Sequence, residues 1–222
     1  ADFDAAVKAL GGTGTDMQYQ AFSRAVYESR IATKSEAAML LAHIWTGSNG
    51  LTDKVEGYCV NNNGANMEGC KGVYKANKAG KVFYGRGYLK MYTEPNYRDA
   101  SKTIFADENV LVDNPDRVVD DECVNWRVAA YFWDANVHNV VAASGKFGDT
   151  TMKINPGECT DKAYNDLAKA RYKNYVLMAT ALGVTDVAKE DGCYEVAPAA
   201  GAGGAAPGAA PGGAPGAAPG AP

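Results

Sequence analysis

Gly85-Arg86-Gly87, set among Phe83, Tyr84, Tyr88, Tyr92 and Tyr97, is the stretch of this chain best suited to chemistry. Glycines let a backbone turn tightly and approach a ligand, and tyrosines offer flat faces and hydroxyls of the kind that hold sugars. The run from Phe83 to Tyr97 therefore reads as the floor of a cleft. By itself the pattern is weak, because glycine in a strand or turn is usually punctuation. If a glycosidic bond is the target, hydrolysis needs two carboxyl groups across it. In the inverting mechanism one protonates the leaving oxygen and the other activates water, with roughly 6.5–9.5 Å between them.

Read with its neighbours, the stretch resembles the Tyr-Tyr-Gly-Arg-Gly-Pro-x-Gln-Leu signature of glycoside hydrolase family 19, the lysozyme-like chitinases, with the later Asn-Tyr at Asn96-Tyr97. Glu56, Tyr58-Cys59, Gly69-Cys70, Asn114-Pro115-Asp116, Tyr131-Phe132-Trp133 and Ile154-Asn155 occur in the family's order at near-family spacing. The resemblance runs from about Lys34 to Cys193. It implies a mainly α, bilobal lysozyme-like domain with a central cleft, acting by inversion on β-1,4-linked N-acetylglucosamine. It also implies a substrate-binding surface at Tyr84, Arg86, Lys90, Tyr92, Asn96 and Asn155, although Arg86 suits a structural ion pair equally well.

The departures matter as much as the matches. The family's acid lies in His-Glu-[Ser/Thr]-Gly-Gly at the end of a buried helix, and its base follows in Val-Glu. Aligning Ser48-x-Gly50-Leu51 and Val55-Glu56 puts Glu56 on the base and Gly47 on the acid. Glycine has no proton to donate, and moving the gap by one residue gives Thr46, no better an acid. Lys90 stands where the family has Gln, and Tyr92 where a Ser or Thr helps hold the attacking water. A tyrosine there would crowd that water. As substitutes, Glu36 is about 16 Å away along the same helix, which leaves Asp53 and Glu94. Loss of a general acid costs on the order of 10²–10⁴-fold. The expected function is that of a secreted chitinase-like protein that binds chitin or a related N-acetylglucosamine polymer, with hydrolysis lost or strongly impaired. The alternatives are an active inverting endochitinase with a relocated acid, and a structural or matrix interaction protein with a vestigial cleft.

Composition narrows the classes. The 222 residues suit one domain, 1–196, followed by an Ala/Gly/Pro tail, 197–222. A net charge of −4 with scattered Lys and Arg argues against a nucleic-acid partner. No apolar run approaches membrane-spanning length, and no signal-like apolar segment begins the sequence. Five cysteines without C-x-x-C and only two histidines give a zinc site little to build on, so no metal or cofactor is expected. Disulfides, and hence an oxidising compartment, are the better reading. The family resemblance implies Cys59–Cys70 and Cys159–Cys193, leaving Cys123 as a buried thiol or an intermolecular bridge. The tail repeats Pro-Gly every four residues at Pro207, Pro211, Pro215 and Pro219, whereas collagen needs Gly at every third. It reads as a disordered, uncharged spacer, with a tether to a matrix or partner as the alternative.

The elements that must position these residues are helices. Thr15 with Gln18 forms a capping-box pattern before a helix to about Ser29, and Thr33 with Glu36 opens a second, almost wholly apolar one over Ala37 to Trp45. His43 on that helix reads as a core residue rather than a ligand. Gly47 ends the helix as an expected C-cap, and residues 47–81 read as irregular surface. Further helices are expected over Arg98–Ile104, Val118–Trp133 and Thr160–Leu182, with Gly145–Gly157 as loop.

Overall fold

The computed structural model describes residues 2–57 and 76–194, Tyr74, and the backbone of 60–61 and 64–65. The expected Cys59–Cys70 bridge and the tail from 197 lie outside the described residues. The helices are α1 (Asp2–Lys8), α2 (Asp16–Glu28), α3 (Lys34–Gly47), α4 (Glu94–Phe105), α5 (Val110–Asp113), α6 (Arg117–Asp120), α7 (Glu122–Asn136), α8 (His138–Ser144), α9 (Phe147–Ile154), α10 (Pro156–Thr160) and α11 (Asn165–Ala181). A short antiparallel pair, Val60–Asn61 with Gly64–Ala65, lies between α3 and α4.

Local signals explain the starts. Thr15 accepts from the Gln18 N–H at 3.2 Å while the Gln18 side chain accepts from the Thr15 N–H at 3.0 Å, a complete capping box. Thr33 caps α3 by accepting from the Glu36 N–H. In α3, Met39, Leu40, Leu41, Ala42, His43 and Ile44 are all buried, so this helix is the spine of the larger core. α11 lies along α3, and α2 along α7.

Two hydrophobic cores make the two lobes. The larger gathers α3 with Phe3, Phe22, Trp126, Trp133, Phe147 and Tyr175. The smaller gathers Phe83, Met91, Tyr97, Ile104, Leu111, Val118, Val124 and Val128. α7 serves both, because Trp126 and Trp133 face one core while Val124 and Val128 face the other. Each large side chain buried this way contributes about 1.5–3 kcal/mol.

Several sequence expectations are corrected. Most of the expected loop Gly145–Gly157 is helical, forming α9 and the start of α10, held because Phe147, Thr150, Thr151 and Ile154 share one buried face. The expected Val118–Trp133 helix is broken at Asp121, whose side chain accepts from the Val124 N–H and starts α7 afresh. α4 starts at Glu94-Pro95 rather than Arg98, since proline suits the first turn. α11 begins at Asn165, five residues later than expected, with Gly183 left-handed just past its end. Gly47 is the last residue of α3 and not its cap, which is Ser48. Cys123 is exposed rather than buried, because it lies in the first turn of α7 on the side away from both cores.

Candidate functional site

The cleft floor is a hairpin. Arg86 and Met91 exchange backbone hydrogen bonds at 3.1 and 2.9 Å, and Gly87 at φ +79 with Lys90 at φ +54 turns the chain between them. On its other side the hairpin pairs with the segment leaving α3: the Glu56 N–H donates to Gly85 O, and the Gly87 N–H to Lys54 O. Both glycines are closely hemmed in. A Cβ on Gly87 would stand 2.9 Å from Asn125 Oδ1, and one on Gly85 would stand 3.1 Å from the Glu56 carboxyl carbon.

This pairing fixes Glu56. The carboxylate is 3 % exposed, accepts from the Gly85 N–H at 2.6 Å and from the Tyr74 hydroxyl at 3.1 Å. Burial raises its pKa, against the opposing pull of these two donors and of the Lys90 and Arg86 charges. A carboxylate so placed can accept a proton from water, the role of a general base. Tyr92 stands edge-on to Tyr74, ring centres 6.2 Å apart, so two aromatic rings flank the carboxylate's access.

At the end of α3 the geometry is different. A Cβ on Gly47 would lie 3.0 Å from Tyr88 O and 3.8 Å from Arg171 Nη1. Arg171 is buried and holds the equally buried Glu158 in a two-pronged ion pair, Nε to Oε2 at 2.7 Å and Nη2 to Oε1 at 2.8 Å. Its Nη1 donates to His43 O at the end of α3. No sequence signal links residues 158 and 171 to position 47; the fold alone brings them together. Lys90 joins the two halves of the site. Its ammonium donates to Asp53 O, feels the charges of Asp53, Glu56 and Arg171, and is lowered to about 8, by burial first.

The remaining sequence candidates divide by exposure. Tyr84, Arg86 and Asn155 are buried. The Arg86 guanidinium lies 3.5 Å from the Tyr84 ring centre and bonds Val82 O, Tyr97 Oη and Asp116. Asn155 donates to Glu158 Oε1 at 2.8 Å. These three therefore support the floor from beneath. Tyr92 and Asn96 are only partly covered, with Asn96 donating to Tyr92 O. Tyr74, on a stretch read as irregular surface, is a site residue that sequence reasoning missed. Glu36 is not a spare acid, being held by Trp133 Nε1 and His138.

A larger cavity of about 500 Å³ lies elsewhere, between α1, α2 and α3, lined by Phe3, Tyr19, Phe22, Val26 and Leu41. Its lining is mainly apolar and includes the exposed Asp2–Lys34 ion pair at 3.0 Å. Among the described residues no cluster of His, Cys, Asp and Glu could hold a metal, and no helix is long and apolar enough to cross a membrane.

Comparison with known proteins places this geometry. The profile of glycoside hydrolase family 19, chitinase class I, matches residues 3–146, well over half of the chain. Chitinase 4 of Oryza sativa subsp. japonica is 36% identical over 138 residues, 59% of this chain and 43% of that protein. An inactive endochitinase of Arabidopsis thaliana is 30% identical over 173 residues, 75% of this chain and 58% of that one. The chain thus spans about half the length of the curated relatives it matches. The class IV chitinase of Zea mays superposes with a TM-score of 0.61 at 24% identity, covering 84% of this chain and 94% of that one. A bacterial family 19 chitinase gives 0.66 at 22%, covering 85% and 96%. At these identities the structural likeness is one of fold. Because the profile match takes in α3, Gly47, Glu56 and the whole hairpin floor, the chain belongs to glycoside hydrolase family 19.

Proposed function

We propose that this is a secreted chitinase-like protein whose cleft binds a β-1,4-linked N-acetylglucosamine polymer, with hydrolysis lost or strongly impaired. The observation that carries the reading is Gly47. Its backbone is ordinary helix, so no left-handed turn demands glycine there; the close neighbour of an added Cβ is Tyr88 O at 3.0 Å, and no carboxyl group stands at this position. A relative named as an inactive endochitinase supports the same conclusion. The Cys159–Cys193 disulfide supports an oxidising, extracellular location. Glu56 then serves as an anchor in the floor, while Tyr92 and Asn96 offer the sugar-facing surface.

The test is titration with chitin oligosaccharides, following binding and cleavage together, on the unmodified protein and on Gly47→Glu. Binding without cleavage, and cleavage gained in the variant, is the expected result. Cleavage by the unmodified protein would overturn the loss of hydrolysis; no binding by either form would overturn the sugar cleft and favour a matrix role. Asp53 favours one second reading, a working inverting chitinase with a relocated acid. It is exposed, and its charge reaches the same Lys90 ammonium as Glu56 does. Asp53→Asn would then abolish turnover.

A further inference from the structure

Beside Gly47 the structure leaves a cavity of about 10 Å³, lined among others by His43, Tyr88, Lys90, Asn155 and Arg171. That is room for one water-sized occupant. Its two ionic lining groups are both cations, Lys90 and Arg171, each 3 % exposed.

Hydrogen-bond accounting shows what they lack. An ammonium has three N–H donors, and Lys90 uses one, on Asp53 O. Each terminal nitrogen of a guanidinium carries two N–H donors. Arg171 directs Nε and Nη2 at Glu158, but Nη1, the nitrogen nearest the Gly47 space, serves only His43 O. Two N–H groups of Lys90 and one each of Arg171 Nη1 and Nη2 therefore have no acceptor among the described residues. The charges agree with that count. Glu158 balances Arg171 from the far side, and Asp53 and Glu56 balance Lys90, yet Arg171 still depresses both Lys90 and the buried His43. Tyr88 O is an acceptor at the cavity's edge, 3.0 Å from where a Cβ on Gly47 would stand.

We propose that this cavity is a binding site for a small monovalent anion of halide size, held between the Lys90 ammonium and Arg171 Nη1. Acetate and phosphate exceed the space by more; a halide, as a bare single-atom anion, comes nearest to it and accepts hydrogen bonds only. The site does not depend on whether the cleft binds sugar.

Two measurements on the full, unmodified chain test it. Crystals grown in bromide should show an anomalous peak between Lys90 Nζ and Arg171 Nη1. Replacing gluconate by chloride to about 0.3 M at constant ionic strength should raise the melting temperature by about 2–4 °C, through preferential binding to the folded state. In Gly47→Ala, whose methyl group would stand 3.0 Å from Tyr88 O and 3.8 Å from Arg171 Nη1 at the edge of the space, and in Lys90→Gln, that rise should vanish. Water density without anomalous signal at the site, bromide on the surface only, or equal melting in the two salts would each overturn the proposal, and none of these needs a variant that folds. Loss of sugar binding alone would leave it standing.

Discussion

The backbone N–H of Gly85 donates to Glu56 Oε1 at 2.6 Å, and any side chain on Gly85 would press against that same carboxyl group at 3.1 Å. Glycine is thus favoured here by the closeness of the carboxylate, not by a left-handed backbone. Lys90 Cβ, 3.2 Å from the same point, closes the other side. Gly85→Ala is expected to cost about 1–3 kcal/mol, as overpacking of a buried site does, seen as a lower urea midpoint with an unchanged circular dichroism spectrum. A midpoint equal to that of the unmodified protein would disprove the contact.

Lys90 makes stability depend on pH in the alkaline range. Its pKa of about 8 lies below the unfolded value of 10.5, chiefly through burial, with Arg171 adding and Asp53 and Glu56 opposing. Between these values the unfolded chain binds more protons, so stability rises with pH. Below pH 8 the full cost of the buried ammonium is present, about 3 kcal/mol. Lys90→Gln in gluconate buffer should be the more stable protein at pH 7, and the gap should close by pH 10.5. Urea midpoints at several pH values measure it; a constant gap across the range is the contrary result.

The Arg171–Glu158 pair is buried on both sides, so removing one partner strands a charge. Glu158→Gln or Arg171→Met should lose about 3–5 kcal/mol, whereas the double change Glu158→Gln with Arg171→Met should recover part of it. A double-mutant cycle by chemical denaturation reads the coupling. Simple additivity would mean that the two side chains do not act as a pair.

The Cys159–Cys193 bridge closes a separation of 34 residues and ties α10 to the segment after α11. Loop-closure entropy values that at about 3–4 kcal/mol. Replacing both cysteines by alanine should lower the melting temperature by several degrees, and a reductant should reproduce the loss in the unmodified chain.

How far the fold was legible varies by element. Thr15, Gln18 and Thr33 announced α2 and α3 because capping is local chemistry. α9 was hidden because Gly148 and two threonines lower its helical signal. Its helix is held by tertiary contact: a Cβ on Gly148 would strike Glu190 O at 2.0 Å. At the site, Glu56, Gly47 and the Gly85-Arg86-Gly87 turn were legible from motif order. Arg171 was not, since at helical spacing it reads as one more residue on the face of α11, and its partner Glu158 lies on a helix too short to show in the pattern. Arg86 was ambiguous in sequence, and burial between Tyr84, Tyr97 and Asp116 gives it a structural place.

Tyr92 can hold a sugar and obstruct a water at once, and the two effects separate in mutants. Its ring stands edge-on to Tyr74, whose hydroxyl donates to Glu56 Oε2, so Tyr92 is linked through Tyr74 to the carboxylate suited to activate water. In the protein as it stands, Tyr92→Ser should weaken binding of chitin oligosaccharides by about tenfold, the equivalent of one lost aromatic contact at about 1.4 kcal/mol. In Gly47→Glu, where an acid is restored, the same change should raise kcat, because space for the attacking water returns. Calorimetric titration of the single variant and cleavage assays of the double variant read the two effects independently. If Tyr92→Ser weakens binding and lowers kcat alike in the restored background, the tyrosine is a sugar contact and no obstacle to water.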